Sequence, residues 1–439
     1  MKRAFYILFI VLFFILCLVP SVGMLIAGPS EAAANEPPAA VPRVKNFDGS
    51  WNDQFFTQLR DYVGKGFFLR LEGITGWDSL ASGLFRTSGN DDVLIGQDGW
   101  LFYGAAVNDI SGASQMTDRQ LWCAARSLYL MQEYAASRGA DFLFTIPCGK
   151  YTLYPEHAPD YVTVAEGSNR ERLEALLQQM GVSFADMYAA FSAVDEELYW
   201  KYDSHWTERG AALGADTILA AAGLEGDFFA GPFETELSHA GDLYAMLYPR
   251  GGTLEPSYLW QPGFTFVYTS DFHTYDDMLI TTECSGKSGS LMLFRDSSGR
   301  SLYPYLAESF GSAYISRSNS YRLDLIDEQA ATLVVGEVAE RTLEYLLRYP
   351  AVYAAPVRDG SVLTGAVAAE SEITADEPGS VSPALRKLTG TLPAVRAVDS
   401  PVYVTAGGAV YEAIPNEGSF TIWLPAEVDV SDAAVYIMP

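Results

Sequence analysis

The sequence predicts an α/β protein with a doubly wound, largely parallel sheet and a small C-terminal β-domain. Between residues 117 and 347, segments with helical periodicity alternate with short apolar runs, which is typical of a parallel sheet covered by helices. After residue 356 the chain instead alternates Val, Tyr and Thr with Gly, Pro and Asp breaks, which favours strands joined by turns. With 439 residues and 49% hydrophobic content, the chain can form two or three packed domains.

The N-terminal residues favour a membrane segment. An almost unbroken apolar run over residues 4–28 follows Lys2 and Arg3. It is long enough to cross a bilayer as a helix, whereas a cleaved signal usually has an apolar region of about 7–15 residues. We therefore predict a signal anchor over residues 1–28, with the remaining chain outside the cytoplasm because positive charge stays inside. A cleaved leader is the alternative, because residues 32–34 resemble a cleavage site, and the protein would then be secreted.

Between the anchor and the sheet, the sequence predicts a linker and a helical entry segment. Residues 29–44 are rich in Ala, Pro and Glu, a composition that favours a flexible linker. Over residues 47–84, aromatic and aliphatic residues recur at helical spacing, so an amphipathic helical segment is expected. Residues 93–103 then predict a hairpin with its turn at residues 97–99.

We expect the α/β domain to occupy residues 45–356 and the β-domain residues 357–439. Apolar periodicity predicts helices at 117–138, 169–180, 207–222 and 340–347, and strands at 140–146, 182–184, 291–294, 312–315, 332–336, 402–405 and 420–424. Residues 229–288 are rich in Gly, Tyr and Thr with few helical signals, so we interpret them as an insertion that shapes a substrate groove. Aromatic residues of the β-domain fit a packed core better than a sugar-stacking face, namely Tyr403, Tyr411, Trp423 and Tyr436.

The formal net charge of −27 argues against partners that carry many negative charges. Phosphates dominate the affinity of proteins for DNA and RNA, so we expect no nucleic-acid partner. Beyond the anchor the cysteines are Cys123, Cys148 and Cys284, without the Cys-x-x-Cys pair that would indicate a zinc site. We interpret them as buried apolar side chains, with one disulfide as the alternative.

Two short motifs supply the groups of a serine-type acyl-transfer site. The run Asp203-Ser204-His205-Trp206-Thr207 lies just before a predicted helix, and Arg295-Asp296-Ser297-Ser298-Gly299 follows an apolar strand. A serine hydroxyl needs a base to remove its proton, and that base needs a third group to hold its tautomer. A strand, a tight turn and a helix would place the serine at the carboxyl edge of a sheet, where open α/β folds hold their sites.

Together with other segments, these motifs resemble the family named for its DHHW motif. That family is related to the alginate O-acetyltransferases of bacterial exopolysaccharide secretion, which carry SGNH-hydrolase-like domains. The resemblance covers roughly residues 45–350, and its segments occur in the family order: Val93–Tyr103, Phe144–Pro155, Asp203–Thr207, Arg295–Ser297 and Leu306–Phe310. Five segments in one order are far more specific than any single motif.

The resemblance implies a permuted SGNH-hydrolase-like arrangement, in which the Asp-x-His motif precedes the serine instead of following it. Ser297 would be the nucleophile, His205 the general base and Asp203 the orienting carboxylate. Ser298 stands where the family usually has an aromatic residue, so the nucleophile stays open between two adjacent serines. Backbone amides near Ser297 are the expected oxyanion donors.

Lys150, Arg295 and Ser298 are candidates for supporting the site. Lys150 follows a predicted strand and is interpreted either as a site cation, binding a carboxylate or phosphate or stabilising the transition state, or as an ordinary surface lysine. Arg295 is expected to pair with a buried acid. The remaining histidines are scattered without metal-ligand spacing, so loop or surface positions are expected for His157, His239 and His273. We expect neither a metal nor a cofactor.

The resemblance implies an exported, membrane-anchored O-acetyltransferase that acts on a cell-surface or secreted polysaccharide through an acyl-enzyme. Because acetyl-CoA is not expected outside the cell, it also implies a partner, a multipass membrane acyltransferase that brings acetyl groups across the bilayer. A carbohydrate acetyl-esterase would use the same three residues with water as the acceptor. A catalytically silent carbohydrate-binding or scaffold protein of polysaccharide export is the third interpretation.

Overall fold

The structure, a computed structural model, describes residues 2–34, 36–38, 40–163, 165–393 and 397–438. The helices are α1 Lys2–Ala27, α2 Phe55–Gly66, α3 Arg70–Phe85, α4 Val107–Ile110, α5 Asp118–Ser137, α6 Lys150–Leu153, α7 Asn169–Met180, α8 Met187–Ser192, α9 Glu208–Ala221, α10 Asp242–Leu247, α11 Gly299–Ala307 and α12 Tyr345–Arg348. The strands are β1 Val93–Ile95, β2 Leu101–Tyr103, β3 Asp141–Thr145, β4 Phe184–Ala185, β5 Phe233–His239, β6 Glu255–Trp260, β7 Val267–Tyr268, β8 Leu279–Glu283, β9 Ser290–Phe294, β10 Ser312–Ser316, β11 Leu333–Glu337, β12 Val357–Arg358, β13 Val367–Ala369, β14 Ile373–Ala375, β15 Leu385–Thr391, β16 Val402–Ala406, β17 Ala409–Pro415, β18 Ser419–Pro425 and β19 Ala434–Ile437.

The α/β region is built on a main sheet in the order β4-β3-β11-β9-β10-β8-β7. Pairing is parallel from β4 to β10 and antiparallel for β8 and β7. Because β3, β11 and β9 run in parallel as neighbours, their carboxyl ends lie at one edge of the sheet. The residues that follow these three strands therefore meet at that edge.

Helices cover both faces of the main sheet. Leu291 and Leu293 of β9 join the apolar core with α9 and α11, whereas Met292 and Phe294 join the core with α5 and α7. Successive strand residues point to opposite faces, so a strand buried on both sides is apolar throughout. Thr117 caps α5 through a capping box with Gln120, at the predicted start of that helix.

The predicted helical entry segment is divided into two helices. Leu69, between α2 and α3, has a φ of 63°, a left-handed conformation that ends the helical path. The predicted helix at 340–347 is likewise shorter, because a single 3₁₀ turn precedes α12. Among the described residues, Arg3–Ala27 is apolar and long enough to cross a membrane, as signal anchors and signal peptides both are.

The predicted insertion is more regular than its composition suggested. Strands β5 and β6 form an antiparallel hairpin with α10 between them. Residues 267–283 contribute β7 and β8 to the main sheet, so they belong to the sheet and not to an insertion. Only Ile280 and Thr282 of β8 are buried, and this half-burial at the end of a sheet explains the weak apolar signal.

The residues after 356 form an antiparallel sheet in the order β13-β19-β16-β17-β18-β15-β14, with β12 beside β17. This sheet packs against α5, where Arg358 pairs with Glu133 of α5 and, at 2.8 Å, with Glu412 of β17. Most of the aromatic residues considered above are buried here, namely Tyr403, Tyr411 and Trp423. Their rings are therefore not exposed for stacking on a sugar.

The cysteines beyond α1 are free and buried among the described residues, at Cys123, Cys148 and Cys284. This agrees with their interpretation as buried apolar side chains rather than as a disulfide. Burial raises the pKa of the Cys123 thiol to about 12, so the reactive thiolate is strongly disfavoured there.

Candidate functional site

The Asp-x-His motif lies in the loop that leads into α9. The Thr207 side chain caps α9 by accepting a hydrogen bond from the amide of Gly210. The Thr207 amide donates to the carbonyl oxygen of Leu198 at 2.8 Å, and the ring of Trp206 is buried in the core. These contacts fix the backbone directly after His205.

Asp203 and His205 form a hydrogen-bonded pair. His205 Nδ1 lies 2.8 Å from Asp203 Oδ1, and the His205 amide donates to the same oxygen at 2.9 Å. Because a carboxylate only accepts, the contact assigns the proton to Nδ1 and a lone pair to Nε2. Nε2 is buried and has no hydrogen-bond partner among the residues that the structure describes. This is the orientation that a general base requires.

The second oxygen of Asp203 is held by residues that the sequence analysis missed. Asp203 Oδ2 lies 2.9 Å from His239 Nε2 and accepts the amide of Asp242 at 2.9 Å. The His239 ring stacks on Trp200, with ring centroids 3.6 Å apart. His239 was expected in a loop or at the surface. It lies 36 residues from Asp203, and nothing in the local pattern signals the contact.

The surroundings shift the pKa of His205 upward and the pKa of Asp203 downward. Burial acts to lower the pKa of His205, but the hydrogen bond and charge of Asp203 and the charge of Asp242 outweigh burial, so the pKa is raised. Burial alone would raise the pKa of Asp203, but the hydrogen bonds from His205 and His239 hold this pKa well below the ordinary value. The pair can therefore stabilise an imidazolium when His205 takes up a proton.

Asp242 is a further acid beside the imidazole. Its Oδ2 lies 3.6 Å from His205 Nδ1 and accepts the Ser204 hydroxyl at 2.6 Å. Burial and the negative charge of Asp203 raise the pKa of Asp242. Asp203, His205 and Asp242 also present donor atoms within 4.8 Å of one another, a set that could hold a metal ion. Because N–H and O–H donors already occupy both carboxylates, the set fits proton transfer better than metal binding.

The loop between β9 and α11 places Ser297 at the carboxyl end of β9. Asp296 Oδ1 accepts the amide of Ser298 at 2.7 Å, and its Oδ2 accepts the amide of Ala339 at 2.8 Å. One carboxylate thus closes the turn and ties it to the loop after β11. Gly299 begins α11, so the order is strand, tight turn and helix, as predicted for a serine at the sheet edge.

Two buried charged side chains, Glu337 and Arg295, lie next to this turn. A Cβ on Gly299 would come within 2.3 Å of Glu337 Oε2, so only glycine fits there without displacing the turn. Burial and the negative charge of Asp296 raise the pKa of Glu337 well above its ordinary value. Arg295 donates to the backbone oxygens of Asp296 at 3.1 Å and Tyr275 at 2.5 Å. Arg295 is therefore placed as a support of the turn.

Ser297, His205 and Asp203 line one cavity of about 500 Å³. Within the described part of the chain, the Ser297 hydroxyl has no hydrogen-bond partner, and His205 Nε2 is likewise unpartnered. Catalytic hydrogen bonds often tighten only when substrate is bound. Aromatic rings from the loop before α9, from β6, from the loops on either side of β7 and from α11 form the walls, namely Trp200, Tyr258, Trp260, Phe264, Tyr275 and Tyr305.

Ser298 and Lys150 line a different, smaller cavity. The Lys150 ammonium is buried and donates to the carbonyl oxygens of Leu101 at 2.7 Å and of Lys201 and Asp203 at 2.9 Å each. The hydrogens of the Lys150 ammonium are therefore already donated to backbone carbonyls and are not available to a substrate carboxylate or phosphate. Lys150 is thus neither a surface lysine nor a free site cation, because it ties the Asp203 loop to β2.

Comparison with known proteins confirms the predicted resemblance. Residues 93–257 match the family model described as an SGNH hydrolase-like domain of the acetyltransferase AlgX. The matched region contains Asp203, His205, His239 and Asp242 but ends before Ser297. The probable alginate O-acetylase AlgJ of Pseudomonas aeruginosa is 26% identical over an alignment of 199 residues that covers 42% of this chain and 48% of that protein. The chain thus spans about half the length of this curated relative.

Two solved structures are similar to part of this chain. A DHHW family protein from Eubacterium siraeum is 18% identical with a TM-score of 0.44, covering 53% of this chain and 90% of that protein. The O-acetyltransferase domain of Pseudomonas putida AlgJ is 19% identical with a TM-score of 0.41, covering 58% of this chain and 93% of that domain.

Proposed function

We propose that this protein is an exported O-acetyltransferase that acylates hydroxyl groups of a polysaccharide through a Ser297–His205–Asp203 triad in a permuted SGNH-hydrolase-like domain. One observation carries the proposal. The buried Nε2 of His205 is oriented by Asp203 and unpartnered among the described residues, in a cavity that Ser297 also lines. The similarity to probable alginate O-acetylases supports the same reaction class.

In the proposed reaction, His205 Nε2 takes the proton of the Ser297 hydroxyl while Ser297 Oγ attacks the acetyl carbonyl of the donor. The donor leaves with a proton returned by His205, which gives an acetyl-serine. A sugar hydroxyl then attacks this ester and loses its proton to Nε2, and His205 returns that proton to Ser297 Oγ as the acyl–serine bond breaks. Asp203 stays ionised throughout and stabilises the imidazolium.

The tetrahedral intermediates of both steps need donors for their oxyanion. The Ser298 amide is engaged by Asp296 at 2.7 Å. We therefore assign the role to the amides of Ser297 and Gly299, which have no hydrogen-bond partner among the described residues. Removing such a donor typically costs about 10²–10³ in kcat.

The aromatic walls of the cavity support a carbohydrate acceptor. Flat rings such as Trp260 and Tyr258 offer apolar faces next to the triad, while Arg300 supplies a cation at the rim. An acetyl-esterase would use the same three residues with water as acceptor, so the acceptor distinguishes the two enzymes. The donor is expected to come from a multipass membrane acyltransferase, with the chain held at the membrane by α1.

Intact-mass analysis of the full chain tests the nucleophile. After treatment with an activated acetyl ester or a serine-directed phosphonate, the wild-type protein should gain one adduct that maps to Ser297. Ser297→Ala should abolish the adduct and His205→Ala should slow it by at least a hundredfold. Ser298→Ala is the matched control, because that serine faces the other cavity, and it should keep the adduct.

An adduct on Ser298, or one unchanged by both triad substitutions, would refute the assignment. Absence of any adduct on the wild-type protein would favour the catalytically silent carbohydrate-binding interpretation. Labelling that disappears with a chelator would point instead to a metal held by Asp203, His205 and Asp242. Added oligosaccharides that become acetylated would separate a transferase from an esterase.

The pH dependence of ester cleavage should report the charges around His205. Only the neutral imidazole acts as a base, so kcat/KM should rise with pH through a pKa above the ordinary histidine value. Asp242→Asn removes one of the anions that raise this pKa, so the rising limb should move to lower pH. Arg341 acts in the opposite sense and lowers the pKa of His205, so Arg341→Gln should move the limb to higher pH. If kcat/KM rose at the same pH in the wild-type protein and in both variants, His205 would not be the base whose titration sets the rate.

A further inference from the structure

The helices α2 and α3 are joined by a short turn, residues 67–69, that lies against the apolar helix α1. The amide of Phe68, in this turn, donates to the carbonyl oxygen of Pro20 at 3.0 Å, and the amide of Ser30 donates to the carbonyl oxygen of Gly66 at 2.9 Å. Pro20 lies seven residues before the end of α1, which is about 10 Å along a helix. The turn is thus held on the membrane side of the outer end of the candidate span.

Close packing fixes this depth. A Cβ on Gly23 would come within 2.4 Å of the Phe68 ring, so a glycine in α1 is what lets the ring approach. Met24 of α1 is buried, and its side chain lies against Gly66. If α1 crosses a bilayer, the turn between α2 and α3 necessarily enters the interfacial region beside it.

Each of the two helices carries apolar side chains that the described residues leave exposed. On α3, Trp77, Leu80 and Leu84 lie three and four residues apart on one face, and Trp77 is 64% exposed. On α2, Phe56 is 80% exposed and Val63 lies on the same side two turns later. The buried residues of α3 are Leu71, Asp78 and Ala81.

The charge of this segment also differs from that of the rest of the chain. Residues 43–86 contain six basic residues, at Arg43, Lys45, Arg60, Lys65, Arg70 and Arg86, against five acidic ones, whereas the whole chain carries −27. Helices that lie in a membrane interface combine Trp, Phe and Leu on one face with Lys and Arg on the other. The composition therefore fits a lipid surface better than water.

We propose that α2 and α3 lie in the outer interface of the lipid bilayer and hold the catalytic domain against it. Helix α3 also contacts the catalytic domain, because the half-buried Ser82 accepts at Oγ a hydrogen bond from the Tyr248 hydroxyl at 2.8 Å. Tyr248 directly follows α10, and α10 begins at Asp242 beside His205. The two helices thereby set the distance and orientation of the triad relative to the membrane.

Depth-dependent fluorescence quenching of the full chain in phosphatidylcholine vesicles tests the proposal. A fluorophore is attached to Leu69→Cys or Leu80→Cys in a Cys17→Ser background, since the other cysteines are buried. Lipids with a nitroxide near the headgroup end of the acyl chain should quench both probes at least twofold more than a probe at Val367→Cys. Val367 is 48% exposed on β13, an edge of the C-terminal sheet.

The native Cys17 in α1 serves as the insertion control, because it is exposed on the candidate span. A fluorophore attached to Cys17 should be quenched by lipids whose nitroxide lies deeper along the acyl chain. Quenching at Cys17 with none at position 69 or at position 80 would overturn the proposal. The proposal would also be overturned if the probe at position 80 were shielded from water only in native membranes and never in vesicles of pure lipid. A membrane protein, and not lipid, would then cover the exposed apolar residues of α3. Neither readout depends on acyl-transfer activity.

Discussion

Replacing Asp203 with Asn should lower kcat for ester cleavage about 10⁴-fold without unfolding the protein. Asp203 accepts from His205 Nδ1, from His239 Nε2 and from backbone amides. An asparagine amide donates from one of its two positions and therefore opposes one of these donors. His205 would then shift its proton to Nε2, where it could no longer accept the Ser297 proton. The measurement is kcat with an activated acetyl ester, compared at equal concentrations of folded protein.

Asp216→Asn is the matched control for this substitution. The Asp216 carboxylate also accepts backbone amides, from Phe228 at 3.0 Å and Phe229 at 2.9 Å, but it does not line the cavity. Its replacement should leave kcat within a few-fold of the wild-type value. A loss below tenfold for Asp203→Asn, with the fold intact, would show that His205 does not depend on this carboxylate.

The parts of the site that the sequence predicted are those encoded locally. Asp203 and His205 are two residues apart in a loop fixed by the helix cap Thr207, so their contact needs little information from the rest of the chain. Ser297 follows a strand whose residues are all buried, and Gly299 follows it in turn. These short-range patterns predict the parallel sheet and a serine at its carboxyl edge, whereas the roles of Ser297, His205 and Asp203 rest on the family resemblance.

The parts that the sequence did not predict depend on distant contacts. His239 reaches Asp203 only because the β5–β6 hairpin folds over the motif loop, and that hairpin has mostly exposed side chains. The residues of β7 and β8 were interpreted as an insertion, because these two strands, the last in the order of the main sheet, contain few buried residues and so give a weak apolar pattern. The role of Lys150 is set by backbone carbonyl groups of β2 and of the loop before α9, which no pattern of side chains along the sequence indicates.

Lys150→Met should lower the free energy of unfolding by about 3 kcal/mol, because it leaves buried carbonyl oxygens without their donor. Those of Leu101, Lys201 and Asp203 each lie within 2.9 Å of Nζ. A methionine fills a similar volume, so the effect reports the lost hydrogen bonds more than a cavity. Because the Asp203 backbone loses its anchor, the esterase kcat should also fall. Denaturant unfolding at neutral pH gives the stability difference, with the exposed Lys287→Met as the matched control.

The pH dependence of that difference separates a buried lysine from a surface one. Burial, opposed by the charges of Glu255 and Asp203, lowers the pKa of Lys150 to about 7 in the folded chain. Above this pH the unfolded chain binds more protons than the folded one, so wild-type stability contains a contribution that rises towards the ordinary lysine pKa and is lost as the pH falls through about 7. The methionine variant lacks this contribution, so the difference in unfolding free energy should widen as the pH rises above 7. A difference that is constant with pH would mean that the folded protein holds Lys150 with an ordinary pKa, and that its ammonium is reached by water.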